Sequence, residues 1–164
     1  MALVISLAAC LFDLRTRRIP NALTLGGAAV AFVYTLGTQG LPAAVVSAAG
    51  WATGLAIFLP FFLLGGLGAG DVKLVACLGA WLGPIPVLWV ALYAALAGGM
   101  MAIVVAFASG YLRTAVDNVY LLLSHFRVAG IRPLPELTLK QGNGPRLPYA
   151  LPIAAGTVAA LWLR

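Results

Sequence analysis

Apolar residues run through this chain in long blocks that short polar, glycine-rich or proline-rich breaks separate. Each block is apolar on all sides, which is typical of helices that contact lipid or the interior of a bundle. A helix that crosses a membrane needs roughly 20 residues. The pattern therefore predicts an all-α membrane protein, a polytopic bundle of about six transmembrane helices, over residues 1–17, 21–36, 42–64, 71–82, 87–108 and 148–163.

Proline and glycine define the breaks that matter most. Pro20 disfavours helix at Ile19 and suits the first turn of the second span. Residues 65–70 hold four glycines, which is unfavourable for a helix. The short fourth span crosses a membrane only if this glycine segment lies within the membrane plane. Irregular backbone is tolerated there when it is buried in protein or lines a wet cavity, so the segment indicates a site.

One long polar stretch, residues 109–146, interrupts the apolar pattern. Its first part, residues 111–126, places apolar residues at helical spacing and predicts an interfacial amphipathic helix on the cytoplasmic side. Residues 131–145 are rich in proline and glycine and are predicted to be a loop. No repeat is evident, and residues 1–164 are interpreted as a single membrane-embedded domain.

Composition excludes a soluble globular protein. Apolar residues make up 63% of the chain and charged residues 9%, against roughly 45–50% and about 25% in soluble domains. The net charge of +6 is explained by basic cytoplasmic loops, so no nucleic-acid partner is expected. Cys10 and Cys77 lie in apolar blocks and are interpreted as small buried hydrophobic residues.

The basic residues predict the orientation. No basic residue precedes the first apolar block, which favours a retained helix over a cleaved signal peptide; a start upstream of Met1 stays an alternative explanation of its short length. With the N-terminus outside, only Arg164 of the ten basic residues is outside. The nine on the cytoplasmic side are Arg15, Arg17, Arg18, Lys73, Arg113, Arg127, Arg132, Lys140 and Arg146.

Two of the four acidic residues are candidates for chemistry. Asp117 and Glu136 lie in the polar stretch and are expected to be solvated. Asp13 and Asp71 lie in apolar surroundings, where a carboxylate costs roughly 2.5–3.5 kcal/mol on insertion scales and usually has a function. The predicted orientation puts both at the cytoplasmic end of the bundle, and we predict that they form a catalytic pair.

Each aspartate also has a purely structural explanation. Asp71 is well placed to N-cap a helix that begins at Val72. Asp13 is four residues before Arg17, which is the spacing of an ion pair on a helix surface. Two such acids at one end of a chain with few acids favour function over these alternatives.

Two adjacent carboxyl groups permit hydrolysis by an activated water. They cannot both ionise easily, so one takes a proton from water while the other, protonated, polarises the scissile carbonyl. A helix N-terminus favours an anion at Asp71, which suggests Asp71 as the base and Asp13 as the proton holder, although Arg17 acts in the opposite sense. Gly68 and Gly70 would let a substrate backbone approach closely.

Metal and cofactor chemistry is not expected. His125 is the single histidine, and it lies in the polar stretch with no second ligand near it. No serine-histidine arrangement competes with the carboxylates, so no metal or cofactor is predicted.

Three segments resemble one enzyme family. Residues 68–74, GAGDVKL, resemble the GxGD signature of membrane aspartyl peptidases in the form used by prepilin peptidases. Residues 12–21, FDLRTRRIPN, resemble the first aspartate of that family with its I-P-N context. Residues 147–154, LPYALPIA, resemble the terminal P-Y-x-x-x-I-A segment of the small TadV/CpaA-like subfamily that serves Flp (Tad) pili.

The resemblance implies a six-helix peptidase of the bacterial inner membrane. Such an enzyme cleaves the short leader of prepilins and pseudopilins at the cytoplasmic face, in pilus biogenesis and type II secretion. Asp13 and Asp71 match the catalytic aspartates. The N-terminal methyltransferase-like region of longer relatives is expected to be absent. Expected substrate-binding or site-shaping residues are Gly68, Gly70, Lys73, Pro20, Asn21, Pro148 and Tyr149.

Other classes stay open at the level of sequence. An ion-coupled transporter would use the two aspartates as proton relays. A non-catalytic component of a secretion or pilus machine would need neither carboxylate for activity. A third alternative is a GxGD peptidase with other substrates, such as archaeal preflagellins or intramembrane helices. The partners expected on the favoured interpretation are a prepilin peptide and the lipid bilayer.

Overall fold

The computed structural model describes residues 1–110, 112–129 and 148–163. All the regular structure in these residues is helical, which confirms the predicted all-α fold. Seven helices are present in the described part of the chain, with the bounds α1 Ala2–Thr16, α2 Asn21–Gln39, α3 Leu41–Leu63, α4 Ala69–Leu82, α5 Pro84–Ala108, α6 Leu112–Ala129 and α7 Ala150–Trp162.

Helix α4 is the centre of the bundle. It contacts α1, α2, α3, α5 and α7, and every residue from Leu74 to Ala80 is buried. A helix that is apolar on all sides is stable only when protein or lipid surrounds it. Its position at the centre explains why the segment lacks a polar face.

Small residues bring α3 and α4 into backbone contact. A Cβ atom added at Gly50 would clash with the carbonyl oxygen of Gly79, and one added at Gly54 would lie 2.6 Å from that of Val75. The Ser47 hydroxyl donates a hydrogen bond of 2.7 Å to the carbonyl of Ala80 across the same interface. Close approach through small residues and a few polar contacts is typical of helix pairs in membranes.

Three of the six predicted spans are long and apolar enough to cross a membrane, namely α2, α3 and α5. The other three are shorter, at 15 residues in α1, 14 in α4 and 13 in α7. A membrane location is supported by the long apolar helices. That α1, α4 and α7 also span remains a prediction, since roughly 20 residues are needed for a full crossing.

The boundaries follow the predicted breaks with three corrections. Helix α1 ends where Arg17 adopts a left-handed conformation (φ 52°), and α2 begins at Asn21 with the extended Pro20 as its N-cap. Helix α2 continues to Gln39 instead of ending at residue 36. Helix α5 begins at Pro84 instead of residue 87, because proline suits the first turn of a helix.

The third correction concerns α4. Helix α4 begins at Ala69 rather than Asp71, so the glycine segment is not irregular throughout. The end of that segment forms the first helical turn because a side chain two residues later, described below, stabilises it.

The first part of the polar stretch is helical, as predicted, over Leu112–Ala129. This helix, α6, contacts α5 and exposes Val116 and Val119. Its placement at a membrane interface remains a prediction. The predicted loop at residues 131–145 lies outside the described residues, as do Tyr111, the side chain of His125, Glu136 and Arg164.

Candidate active site

The two candidate aspartates meet at the end of the bundle where α1 finishes and α4 and α7 begin. Asp13 is in the last turn of α1, and Asp71 is the third residue of α4. Their carboxylates are close enough to interact electrostatically. Both side chains are partly exposed. This arrangement supports the predicted pairing of Asp13 and Asp71 at one end of the bundle.

Asp71 is held by the chain that precedes its own helix. Its Oδ2 accepts a hydrogen bond of 3.2 Å from the backbone N–H of Gly68. Gly68 is the N-cap and Asp71 occupies the third helical position, as the acidic residue does in a capping box. The alternative in which Asp71 itself is the N-cap is therefore wrong. This contact is also why the helix starts at Ala69.

Asp13 is held by a helix distant in sequence. Its Oδ2 accepts a hydrogen bond of 3.4 Å from the backbone N–H of Ala150, the first residue of α7. The bond is longer than the usual 2.7–3.2 Å. Asp13 thus also lies at a helix N-terminus, so the helix-dipole argument that favoured an anion at Asp71 applies to both residues and does not assign the base.

The ion pair between Asp13 and Arg17, the structural explanation for Asp13, does not form. The backbone N–H of Arg17 donates to the Asp13 carbonyl at 2.8 Å and closes the last turn of α1. Arg17 is then left-handed, and the Asp13 carboxylate contacts α7 instead of the guanidinium of Arg17. The Asp13 carboxylate is therefore directed into the bundle end that contains Asp71.

Tyr149 lies beside the two aspartates. It precedes α7 and lies within electrostatic range of the Asp71 carboxylate. Its ring packs on α5, where a Cβ added at Gly98 would lie 3.3 Å from Tyr149 Cε1. Pro148 accepts a hydrogen bond of 3.1 Å from the Leu151 N–H in the same turn. The predicted site residues Pro148 and Tyr149 are thus next to the two aspartates.

The remaining predicted site residues join the two motifs directly. Lys73 Nζ donates a hydrogen bond of 2.9 Å to Asn21 Oδ1. A Cβ added at Gly70 would lie 3.3 Å from Cβ of Ile19. The connection between α1 and α2 therefore packs on the first turn of α4, and Pro20 lies between its two contact residues, Ile19 and Asn21.

The two signature glycines have neighbours within this chain. A Cβ at Gly68 would lie 3.0 Å from Asp71 Oδ2, and the space at Gly70 is taken by Ile19. Each position is tight because of the chain itself. That these glycines also admit a substrate backbone remains a prediction.

The arrangement suits proton transfer between two carboxyl groups and a water. Each carboxyl group accepts a backbone hydrogen bond at its Oδ2, which orients the rest of the group. In residues 1–110, 112–129 and 148–163, no group of three or more histidine, cysteine, aspartate or glutamate residues is arranged to hold a metal ion. Activation of water by paired carboxyls requires only the groups described here.

Sequence reasoning missed two participants. The backbone N–H of Ala150 carries no side-chain signal, and it becomes a donor to Asp13 only through packing of α7 on α1. Ile19 lies inside the I-P-N motif, but its contact with Gly70 was not anticipated. The motif itself was the available signal for Ile19, whereas no sequence pattern indicates the Ala150 donor.

Comparison with known proteins places this site in a family. The model of the type IV leader peptidase family matches residues 1–103, which include Asp13 and Asp71 but not Tyr149. No curated protein and no solved structure matches the chain. The family match covers more than half of the chain and includes both motifs that pack together at the bundle end. The chain therefore belongs to the type IV leader peptidase family, and it is a peptidase.

Proposed function

We propose that this protein is an aspartic-type endopeptidase that removes the short leader from prepilins and pseudopilins of type IV or Flp pili. The observation that carries the proposal is the electrostatic proximity of Asp13 and Asp71 at one end of the bundle. The family match supports a leader peptidase. The P-Y-x-x-x-I-A resemblance at residues 147–154 favours the small TadV/CpaA-like subfamily.

In the proposed reaction the two carboxyl groups share one proton. The ionised carboxylate takes a proton from water, and the resulting oxygen nucleophile attacks the carbonyl carbon of the scissile amide. The protonated carboxyl donates a hydrogen bond to the carbonyl oxygen and stabilises its developing charge. Collapse of the tetrahedral intermediate breaks the C–N bond, and a proton passes to the leaving amine.

The backbone hydrogen bonds prepare the carboxyl groups for this step. Gly68 and Ala150 each donate to the Oδ2 of one aspartate. Fixing one oxygen orients the other, so that water and substrate meet groups that are already in place. Both donors belong to the backbone, so they restrain the carboxylates without competing for the proton.

The proposed location is the inner membrane of a bacterium, with several membrane crossings and the N-terminus outside. Helices α2, α3 and α5 have the length and composition for crossings. The aspartates are near Arg15, Arg17, Arg18 and Lys73, and basic residues mark the cytoplasmic side. Cleavage would then occur at the cytoplasmic boundary of the membrane, where a leader meets the apolar helix of a pilin.

The decisive experiment is co-expression with candidate prepilins, followed by purification and cleavage in detergent. We expect Asp13→Asn and Asp71→Asn each to abolish processing without lowering membrane abundance. Asp117→Asn is the matched control, because Asp117 is an exposed acid on α6, and it should process normally. Cleavage retained in either site variant would exclude the two-carboxylate mechanism. The transporter alternative would require a substrate flux that depends on Asp13 and Asp71 while the wild-type protein cuts no peptide bond.

A further inference from the structure

Asp13 lies only eight residues before the start of α2, so anything that fixes that start also restrains the end of α1. Helix α1 ends at Thr16, Arg17 is left-handed, and Pro20 is extended before Asn21 begins α2. This connection has few residues in which to absorb a shift. The position of Asn21 is therefore transmitted to Asp13 through a short, turned segment.

Two contacts fix this connection to the first turn of α4. One is the hydrogen bond of 2.9 Å from Lys73 Nζ to Asn21 Oδ1. The other is apolar, with the Ile19 side chain filling the space where Gly70 lacks a Cβ. The two contacts involve different residues of each segment, so together they restrain the connection against sliding and rotation.

Lys73 is directed away from the carboxylates. It is two residues after Asp71, which on an α-helix of 3.6 residues per turn corresponds to about 200° around the axis. Asp71 is directed toward α1 and α7, whereas Lys73 contacts the start of α2. The side of α4 opposite the aspartate pair is thus the side that holds the α1–α2 connection.

The partner of Lys73 is a neutral amide. A lysine paired with a carboxylate would hold that carboxylate ionised, which would disable a pair that has to share a proton. Asn21 accepts the hydrogen bond and leaves the charge balance of the pair unchanged. A cation near a helix N-terminus is unfavourable. The hydrogen bond to Asn21 offsets part of this cost for Lys73.

We propose that Lys73 and Asn21 are positioning residues that form a latch, a hydrogen bond that holds the end of α1 so that Asp13 faces Asp71. This inference rests on the proposed function. The latch acts on Asp13 through the α1–α2 connection and not through a contact with the reacting atoms. Ile19 packed on Gly70 forms the apolar half of the same restraint.

The kinetic test removes the hydrogen bond from either side. Lys73→Met and Asn21→Leu keep side-chain size, and each should lower kcat about 10- to 100-fold with KM nearly unchanged, because displacement of a catalytic group by about 1 Å costs up to 10²-fold. The double variant should be no worse than either single one, since both remove the same bond. Lys73→Arg keeps the cation and the donor, so it should retain most of the rate.

Arg113→Gln is the matched control for loss of one cation. Arg113 is exposed on α6, away from the latch, and its variant should behave as wild type. A raised KM in Lys73→Met together with full activity in Asn21→Leu would overturn the latch and make Lys73 a substrate contact. Multiplied losses in the double variant would also overturn it.

A distance measurement tests the latch without relying on activity. Spin labels at the exposed Thr16 and Ala69 report the separation of the end of α1 from the start of α4, in a background with the two buried cysteines replaced by alanine. Asn21→Leu should broaden or shift the distance distribution. An unchanged distribution in both latch variants would refute the proposal whatever the cleavage assay shows. Activity in Asp13→Asn would instead refute the proposed function.

Discussion

Helices α1 and α4 are both short and each carries one aspartate of the site, but the bundle holds them very differently. Five helices contact α4, and its middle is entirely buried. Helix α1 contacts α7, α4 and α2 and exposes Val4, Leu7 and Leu11 at 65%, 53% and 58%. Asp71 is therefore fixed by the core of the fold, whereas Asp13 is on a peripheral helix.

This difference in packing indicates that the distance between Asp13 and Asp71 depends mainly on the position of the end of α1. A change in the packing of α4 has to disturb several helices at once, so it should affect folding. A change at the end of α1 has few neighbours to disturb, so it should affect catalysis with little effect on stability. The contacts that restrain this end are the Ala150 N–H, the latch and the packing of Ile19 on Gly70.

The largest effect is expected when both aspartates are changed. If they act as a unit, Asp13→Asn combined with Asp71→Asn should be no less active than either single variant, each having lost at least about 10³-fold. Single-turnover cleavage of a prepilin peptide measures this. If the fold-losses in rate of the two single variants multiply in the double variant, the carboxyl groups act independently. The packing of α1 and the packing of α4 would then affect the rate separately.

The core side of the comparison is tested by Gly50→Ala. The new methyl group would clash with Gly79 on α4, and such overpacking costs about 1–3 kcal/mol. Gly99→Ala is the matched control, because a Cβ there meets nothing within 4 Å and should stabilise a helix by about 0.5–1 kcal/mol. Unfolding in detergent micelles measures both, and equal effects would contradict the close α3–α4 packing.

A smaller effect is expected at the peripheral end. Gly70→Ala places a methyl group 3.3 Å from Cβ of Ile19, which should displace the α1–α2 connection and lower kcat on the order of tenfold. Stability should change little, and Ile19→Ala should recover part of the rate. Gly26→Ala, at an open position of α2, is the control. A large loss of stability in Gly70→Ala would show that this contact belongs to the core.

The smallest effect is expected for a change at Gly98, on which the ring of Tyr149 packs. Gly98→Ala would require the tyrosine ring, 3.3 Å from the new methyl group, to move by a few tenths of an ångström. Because Tyr149 is close to Asp71, kcat should fall about two- to fivefold, in proportion to the small displacement. The neighbouring Gly99→Ala should leave the rate unchanged. Identical rates in the two variants would show that the position of Tyr149 does not affect catalysis.

Much of the local structure was predictable because its causes are local. Apolar blocks and proline or glycine breaks set the positions of the helices, and the two acids in apolar surroundings were identifiable by their cost alone. The prediction erred at the start of α4, where Ala69 and Gly70 join the helix because Asp71 binds Gly68. A glycine-rich composition does not reveal such a side-chain contact.

The sequence by itself determined an all-helical membrane protein with two carboxylates at helix ends, because hydrophobicity and charge act residue by residue. Only the tertiary structure decided which groups meet them. The Ala150 donor is 137 positions from Asp13, and Lys73 is 52 from Asn21. Gly50 and Gly99 are the same residue type, yet a Cβ added at Gly50 would clash with the backbone of α4, whereas one added at Gly99 would meet nothing within 4 Å. Such contacts depend on how non-adjacent helices pack, and no single segment of the chain contains that information.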